Sequence, residues 1–541
     1  MTLLANMARF NFMVNTAVCL LGMQHVSAYD ESNFEQSCAD LKETYESENV
    51  TPLFSEAITA GTDLFIPDLH PSCTNSTTVP VDLCRLGLNV TTSDRSDVIM
   101  EVWLPRDWSG RFLSTGNGGI NGCIDYRDLP YAASLGFAAT GSNNGHSGQD
   151  GTRFLNNLEV VKDYSYRALT TSAAVGKDVV EKFYDEPHTK SYYLGCSTGG
   201  RQGFKMAQDF PDIFDGIVAG APAFNFQGLM SWSGRFHTII KEVGPDGMPP
   251  ESTWAAVDEE LLAQCDHLDG AVDGILEDPS LCNFRPEALI CSEGNDNTTA
   301  NATCITGKQA ETIRRFLSPV HGVNGTFVYP RLEPVPGFLA FISGSYTEEQ
   351  FLYTDHWVKY AVYNDSSYDT SRLGPEEWEY AIQNDPSGVR TWSGDLSGVE
   401  AAGAKVLHYH GLEDVLISSA SSAAYYDMVA RTMGISGDDL DEFYRYFRIS
   451  GMGHCSAGTG ATAIGNGRDA GGIEDPSENV LMAMVQWVEE GVAPESVIGS
   501  KLSDDKEDPE VEYKRSHCKY PLRNMLKEGG DAKSADDWSC V

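Results

Sequence analysis

The residues with the clearest chemical potential lie in the stretch 195–199, which contains Gly-Cys-Ser-Thr-Gly. A short apolar run at 192–194 precedes it, and the composition of 201–210 is compatible with a helix. A strand, a tight glycine turn and a helix in this order lift a serine hydroxyl clear of a sheet, beside the amino end of the helix. The pattern predicts a nucleophile elbow with Ser197 as the nucleophile; the alternative is an ordinary Gly-rich loop.

A serine nucleophile needs an imidazole base and a carboxylate that orients the base. In α/β-hydrolases these groups follow in the order Ser, Asp or Glu, His, on loops after late strands. Asp414 ends a turn after the strand-like segment 405–410, and His454 lies in a glycine-flanked loop after a second such segment, 443–449. We predict Asp414 as the acid and His454 as the base, with Glu413 as the competing acid.

Other histidines fit the role of base less well. His408 and His410 alternate along a predicted strand, where a buried histidine is usually a satisfied core residue. His146 precedes the nucleophile in the chain and so breaks the expected order. These positions leave His454 as the best candidate.

A second glycine-rich segment, 116–119, follows the strand-like residues 112–115. Oxyanion holes of this architecture use the backbone N–H after the nucleophile and one N–H from an early loop of this type. We expect the N–H groups of Thr198 and Gly119 to form the oxyanion hole, with a plain turn as the alternative for the glycine run.

Two cysteines flank the predicted nucleophile and base. Cys196 immediately precedes Ser197, and Cys455 immediately follows His454. Since the base must come within about 3 Å of the nucleophile, a disulfide between these neighbours is sterically natural. Such a bond would fasten the elbow to the base loop.

The predicted elements around these residues alternate between helix and strand and are separated by glycines, which is typical of a mainly parallel sheet. Residues 225–397 interrupt this rhythm with many aromatics and little periodicity, for longer than a crossover connection requires. We therefore expect an α/β-hydrolase domain formed by 29–224 and 398–541, with 225–397 inserted as a lid domain between nucleophile and acid.

The composition restricts the partners. The 541 residues include 38 basic and 78 acidic side chains, for a net charge of −40. This charge argues against binding nucleic acid or anionic membranes and suits a soluble extracellular protein. The oligomeric state stays open.

The amino terminus has the features of a secretory signal peptide at 1–28. One charge, Arg9, precedes an apolar run, and small residues stand at a cleavage site, while no later segment reaches the length of a membrane-spanning helix. Without Cys19, twelve of the thirteen cysteines remain, an even number that suggests six disulfides. Seven N-x-S/T sequons predict glycosylation, at Asn49, Asn75, Asn89, Asn297, Asn301, Asn324 and Asn364.

An acidic segment, 265–275, contains three aspartates separated by short intervals and glycines. Carboxylates at this spacing can surround a hard cation, with backbone carbonyls completing the shell. The spacing differs from that of an EF-hand, so the residues alone leave two readings open: a calcium site or a solvated acidic loop.

Cys-Ser at the elbow and His-Cys at the base resemble the CS-D-HC motif of the tannase and feruloyl esterase family. The resemblance extends from about Cys38 to Val541. It implies an α/β-hydrolase fold with a lid, and a secreted serine esterase that cleaves feruloyl and p-coumaroyl esters of plant cell-wall polysaccharides such as xylan. The runner-up activity is that of a tannase acting on galloyl esters. A calcium-dependent carbohydrate-binding protein and a serine peptidase are the remaining alternatives.

The resemblance also implies a structural Ca²⁺ in the lid, held by Asp266, Asp269 and Asp273 and by the carbonyls of Ala271 and Ile275. It further implies that the remaining cysteines pair in sequential order. The pairs are Cys38–Cys84, Cys73–Cys123, Cys265–Cys282, Cys291–Cys304 and Cys518–Cys540.

Overall fold

The computed structural model describes residues 33–67, 69–292, 303–467, 474–503 and 509–541. The predicted signal peptide, 1–28, lies outside the described residues. Within the described ranges, no helix is both long and apolar enough to cross a membrane.

A nine-stranded sheet forms the centre of the fold. Its strands in chain order are β1 (Val50–Ile58), β2 (Leu83–Ser93), β3 (Ser96–Pro105), β4 (Arg111–Thr115), β5 (Ala138–Ser142), β6 (Lys190–Cys196), β7 (Gly216–Gly220), β8 (Lys405–Gly411) and β9 (Tyr444–Ile449). Their spatial order is β1-β2-β3-β5-β4-β6-β7-β8-β9. The pairs from β5 to β9 are parallel, and β1, β2 and β3 join by antiparallel pairing. The predicted α/β fold with a mainly parallel sheet is confirmed.

The parallel strands are buried on both faces because helices cover both sides of the sheet. Tyr193 in β6 packs into the core on one face, together with the helix Ala168–Tyr184. Its neighbour Tyr192 packs into a second core on the opposite face, against the helix Val480–Glu490. This alternation follows from the two-residue period of a strand.

Helices outside 225–397 occupy Phe34–Thr44, Asp128–Ser134, Leu158–Lys162, Ala168–Tyr184, Thr198–Asp209, Ser397–Ala402 (which begins at the predicted boundary), Ala420–Met433, Gly437–Leu440 and Val480–Glu490. Short two-stranded sheets pair Asp63–Phe65 with Ser76–Thr78, Ser496–Leu502 with Val511–Cys518, and Asn524–Leu526 with Trp538–Cys540.

The region 225–397 is mostly helical. Its α-helices are Phe226–Val243, Trp254–Cys265, Gly307–Phe316, Phe338–Tyr346, Leu352–His356 and Pro375–Asn384, and it has one small hairpin, Val320–His321 with Phe327–Tyr329. Within its described residues, no strand joins the nine-stranded sheet. Most of its buried apolar residues form a third core. Its status as a separate lid domain stays a prediction.

Candidate active site

The segment around Ser197 forms the turn that the sequence predicts. Strand β6 ends at Cys196, and the helix Thr198–Asp209 begins one residue after Ser197. Ser197 has φ 67° and ψ −121°, a conformation that a non-glycine residue adopts only when its surroundings enforce it. A Cβ added at Gly200 would lie 2.3 Å from the carbonyl oxygen of Gly220, so the helix can approach β7 closely only with glycine there.

Backbone hydrogen bonds fix Ser197 in this conformation. Its N–H donates to the carbonyl of Gly220 at 2.9 Å, and its own carbonyl accepts from the N–H groups of Arg201 and Ala223 at 3.0 and 3.1 Å. The serine is 9% exposed. Ser197 is therefore held by the backbone on both sides of the turn and is largely buried.

His454 and Asp414 meet on the loops that follow β9 and β8. The Nδ1–H of His454 donates to Oδ2 of Asp414 at 2.7 Å. The Asp414 side chain is fully buried, whereas that of His454 is 20% exposed. The competing acid, Glu413, instead accepts from the N–H and hydroxyl of Thr459. Of the two carboxylates in this turn, Asp414 is thus the one that contacts the imidazole.

Electrostatics keep Asp414 ionised. Burial by itself raises the pKa of this carboxyl, but the charge of His454 and hydrogen bonds from His410 and His454 outweigh burial and hold the pKa well below its usual value. The N–H groups of Leu416 and Ile417 also donate to Oδ1, each at 2.8 Å. A buried carboxylate with this many donors is a fixed negative charge behind the imidazole.

A disulfide joins the two loops. Cys196 and Cys455 are bonded, with their Cα atoms 5.9 Å apart. The two cysteines are 259 residues apart in the sequence. Their bond therefore holds the loop that bears Ser197 next to the loop that bears His454. The other five predicted pairs are also present.

The predicted oxyanion residues lie beside one another. The Thr198 hydroxyl donates to the carbonyl of Gly119 at 2.6 Å, and the Tyr164 hydroxyl donates to the same carbonyl at 2.9 Å. Gly119 has φ +52°, and a Cβ there would lie 2.4 Å from the ring of Tyr353. Two donors and a crowded glycine thus hold the early loop against the amino end of the elbow helix.

A pocket opens over Ser197, Thr198 and Gly119. Its wall is almost entirely apolar. Of the aromatic residues in the inserted region, Tyr353 lines the pocket, whereas Trp232 and Phe236 are buried in the core of that region. The pocket therefore suits a flat apolar group attached to a reacting carbonyl.

Sequence reasoning missed most of the pocket wall. One wall is a single face of the helix Phe226–Val243 and consists of Phe226, Leu229, Met230 and Ser233. These positions follow the i, i+3, i+4, i+7 spacing of a helix face. That spacing is a signal in the sequence, but it does not reveal what the face covers.

The three aspartates of the acidic segment 265–275 lie in different surroundings. Asp266 and Asp269 are both 6% exposed, and burial raises the pKa of both carboxyls, that of Asp269 to about 6. Asp273 forms an ion pair with Arg515 at 2.6 Å. Among the described residues, no group of three or more His, Cys, Asp or Glu side chains is arranged to hold a metal ion. The buried carboxyls of Asp266 and Asp269 fit a hard cation, while Asp273 is shared with an arginine.

Five of the seven sequons fall in the described part of the chain, and Asn297 and Asn301 lie outside it. Four asparagines are exposed and one, in β2, is half-buried. The exposed residues are Asn49, Asn75, Asn324 and Asn364, and the half-buried residue is Asn89.

Known proteins resemble this chain over nearly its whole length. A probable feruloyl esterase B-2 from Neosartorya fischeri is 47% identical over 524 residues, covering 96% of this chain and 98% of that protein. The crystal structure of feruloyl esterase B from Aspergillus oryzae superposes with a TM-score of 0.90 at 46% identity, covering 94% of this chain and 100% of that one.

A more distant structure shares the fold. Tannin acyl hydrolase from Aspergillus niger superposes with a TM-score of 0.74 at 23% identity, covering 94% of this chain and 95% of that one. Residues 84–541 match the family model described as "Tannase and feruloyl esterase". On this match and on the whole-length relatives, the chain belongs to the tannase and feruloyl esterase family.

Proposed function

We propose that the protein is a secreted serine esterase that cleaves feruloyl and p-coumaroyl esters of plant cell-wall polysaccharides. The observation that carries this proposal is the Asp414–His454 pair, fastened by a disulfide beside Ser197 at the base of an apolar pocket. The names of the relatives at 46 and 47% identity point to the same acyl group. Six disulfides, the amino-terminal apolar run and the sequons support secretion and glycosylation.

The first half of the reaction forms an acyl-enzyme. His454 takes the proton of the Ser197 hydroxyl through Nε2 as the serine oxygen attacks the ester carbonyl, while Asp414 holds Nδ1–H and stabilises the imidazolium. The N–H groups of Thr198 and Gly119 bind the oxyanion of the tetrahedral intermediate. His454 then gives its proton to the departing sugar alkoxide, and the C–O bond to the sugar breaks.

The second half releases the acid. A water molecule gives a proton to His454 and attacks the acyl carbonyl, forming a second tetrahedral intermediate in the same oxyanion hole. Its collapse breaks the bond to Ser197, which recovers the proton from His454. The products are a hydroxycinnamic acid and a free sugar hydroxyl.

The oxyanion loop yields a prediction. Gly119→Ala places a methyl group against the ring of Tyr353 at a positive φ, so the loop shifts and kcat for methyl ferulate falls by roughly 100-fold. Gly118→Ala is the matched control, because its Cβ meets only the Asn121 amide at 3.6 Å. Steady-state kinetics test this; equal rates for both variants would remove Gly119 from the oxyanion hole.

The pocket favours hydroxycinnamate over gallate. Ser233 is one of few lining residues with a hydroxyl, and that hydroxyl is already hydrogen-bonded to the Tyr346 hydroxyl at 3.0 Å. A galloyl ring carries three hydroxyls, and each one buried without a partner costs roughly 1–3 kcal/mol. We expect kcat/KM for methyl ferulate to exceed that for methyl gallate by at least about 100-fold. The reverse preference would make the enzyme a tannase.

A binding protein on a hydrolase scaffold is the rival from another class. A fluorophosphonate probe reacts covalently with an activated serine and therefore distinguishes the two. We expect the probe to label the native protein and to leave Ser197→Ala unlabelled. An unlabelled native protein would favour the binding role, and a peptide substrate panel would detect peptidase activity.

We also propose that the acidic segment holds a structural Ca²⁺. Asp266, Asp269 and Asp273 would supply carboxylate oxygens, and Ala271 and Ile275 would supply carbonyls. When bound, the ion neutralises the buried carboxylates and cross-links the loop. Asp266 accepts from the N–H of Gly274, and Asp269 accepts from the N–H groups of Ala271 and Glu277. Among the described residues, neither carboxylate has an ion pair with a basic side chain, which supports a cation as the compensating charge.

Removal of the ion tests this site. Chelation with EDTA should lower the melting temperature by roughly 5 °C, and added Ca²⁺ should restore it. Asp269→Asn should abolish this calcium-dependent shift, while Asp395→Asn, at an exposed aspartate elsewhere, should keep it. A melting temperature that is the same with EDTA and with Ca²⁺ would contradict the proposal.

A further inference from the structure

A chain of buried polar side chains runs from Asp414 into the core. Oδ2 of Asp414 is 3.1 Å from Nε2 of His410, and Nδ1 of His410 is 2.6 Å from the Ser422 hydroxyl. That hydroxyl is 2.9 Å from Nε2 of His408, whose Nδ1 is 2.9 Å from the Tyr444 hydroxyl. All five residues are at most 2% exposed.

The partners at the inner end of the chain determine where its protons lie. The Tyr444 phenol is fully buried, and burial raises its pKa well above the usual value, so it keeps its proton and donates to Nδ1 of His408. Burial also lowers the pKa of His408 well below the usual value, so the ring is neutral and carries its one proton on Nε2. His408 therefore donates to Ser422.

The outer end of the chain demands the same direction. Nε2 of His410 faces two acceptors, the Asp414 carboxylate and the carbonyl of Ile417, each at 3.1 Å. Nε2 must therefore carry a proton. Since Ser422 accepts from His408, its own O–H points to Nδ1 of His410. Every hydrogen bond in the chain then donates toward Asp414.

Asp414 has its acceptor sites filled by this arrangement. A carboxylate offers about four lone-pair positions. The N–H groups of Leu416 and Ile417 occupy Oδ1, and His410 shares Oδ2 with His454. With the other positions taken, the carboxylate is fixed in rotation, and the remaining direction on Oδ2 points to His454.

We propose that His410 is a positioning residue, held in its Nε2–H form by the chain from Tyr444, which locks the Asp414 carboxylate in the plane that His454 needs. This inference rests on the proposed function, because it assigns a role to His410 through Asp414. His410 itself touches neither the substrate nor the reacting atoms.

Paired substitutions at His410 test the role. His410→Leu removes the donor, and kcat for methyl ferulate should fall roughly 10- to 100-fold, because small misplacements of catalytic groups have effects of this size, with KM changed less than about twofold. His410→Gln offers an amide N–H near the position of Nε2 and should recover most of kcat. A purely structural role predicts no such recovery. Wild-type kcat in a folded His410→Leu variant would overturn the proposal.

A second pair of variants tests the hydrogen-bond chain from Tyr444 to Asp414. It also provides a test of the proposal if His410→Leu fails to fold. Ser422→Ala interrupts the chain and should lower kcat severalfold at constant KM. Ser421→Ala is the matched control, because this neighbouring hydroxyl is also buried but has no hydrogen-bond partner among the described residues. Equal kcat values for the two serine variants would overturn the role of the chain.

Nitrogen-15 NMR of histidine-labelled wild-type protein reads the proton positions directly. We expect both His408 and His410 to carry a proton on Nε2 and none on Nδ1. A proton on Nδ1 of His410 would contradict the inference. The two proposals can fail independently. Activity in Ser197→Ala would refute the esterase mechanism, whereas the NMR result tests the hydrogen-bond chain whether or not that mechanism holds.

Discussion

Ser197→Ala should lower kcat for methyl ferulate by roughly 10⁴- to 10⁶-fold, because acyl transfer then has no nucleophile on the enzyme. The residual rate would come from the oxyanion hole and from substrate binding, which the substitution leaves in place. KM should change little, since the pocket is formed mainly by the region 225–397 and by Leu416 and Ile417. Single-turnover kinetics with a chromogenic ferulate ester would measure the loss.

The control for this result is structural. Ser197 has a strained backbone conformation, so its substitution could alter the elbow as well as the chemistry. An unchanged melting temperature and an intact Cys196–Cys455 bond in peptide mapping would show that the elbow has kept its fold. A folded Ser197→Ala enzyme that retains a tenth of wild-type kcat would rule out Ser197 as the nucleophile.

The double variant Cys196→Ala/Cys455→Ala should lose both stability and rate. In the chain-entropy model, a crosslink over 259 residues contributes roughly 5 kcal/mol to the free energy of unfolding. The loss of rate has a different cause, because the loops bearing Ser197 and His454 are then no longer bonded to one another. We expect kcat to fall roughly 10- to 100-fold, since small displacements of reacting groups have effects of this size.

A matched disulfide separates stability from position. Cys291→Ala/Cys304→Ala removes a bond with a sequence separation of 13 in the inserted region. This variant should lower the denaturation midpoint by less than Cys196→Ala/Cys455→Ala does, and it should leave kcat almost unchanged. Urea titration and steady-state kinetics on both variants would test this. If the Cys196/Cys455 variant kept its full kcat while losing stability, the bond would be a structural crosslink and would not position the two loops.

Local sequence patterns were sufficient to predict the main elements of the site. The glycines around Ser197 encode the elbow because only glycine allows the contact with Gly220. The order of Ser197, Asp414 and His454 along the chain matches the order of the loops after β6, β8 and β9. The roles of these residues stay predictions until the variants are measured.

Contacts between distant segments were beyond local patterns. The helix face of Phe226, Leu229, Met230 and Ser233 has ordinary apolar spacing, which does not show that it faces Ser197. The sequence predicts Asp273 as one of three calcium-binding aspartates, but it does not show that Arg515, 242 residues later, pairs with it. Both contacts depend on how the inserted region and the two-stranded sheet of Ser496–Leu502 and Val511–Cys518 pack against the rest of the fold.

His410 shows the same limit most clearly. The sequence predicts a satisfied core histidine, and the residue is indeed fully buried and hydrogen-bonded. That description omits its partner Asp414, which a turn brings back over the end of β8.

The sequence by itself determined the family, the sheet architecture, the order of the candidate triad and the disulfide that joins its loops. Each of these can be read from residue types and spacing within short segments, and the disulfide follows because its cysteines adjoin Ser197 and His454. The tertiary structure decided which carboxylate of the 413–414 turn contacts His454, which helix face lines the pocket, and which donors surround Asp414. These choices depend on the packing of segments far apart in the chain, because hydrogen-bond direction and burial are set only when those segments meet.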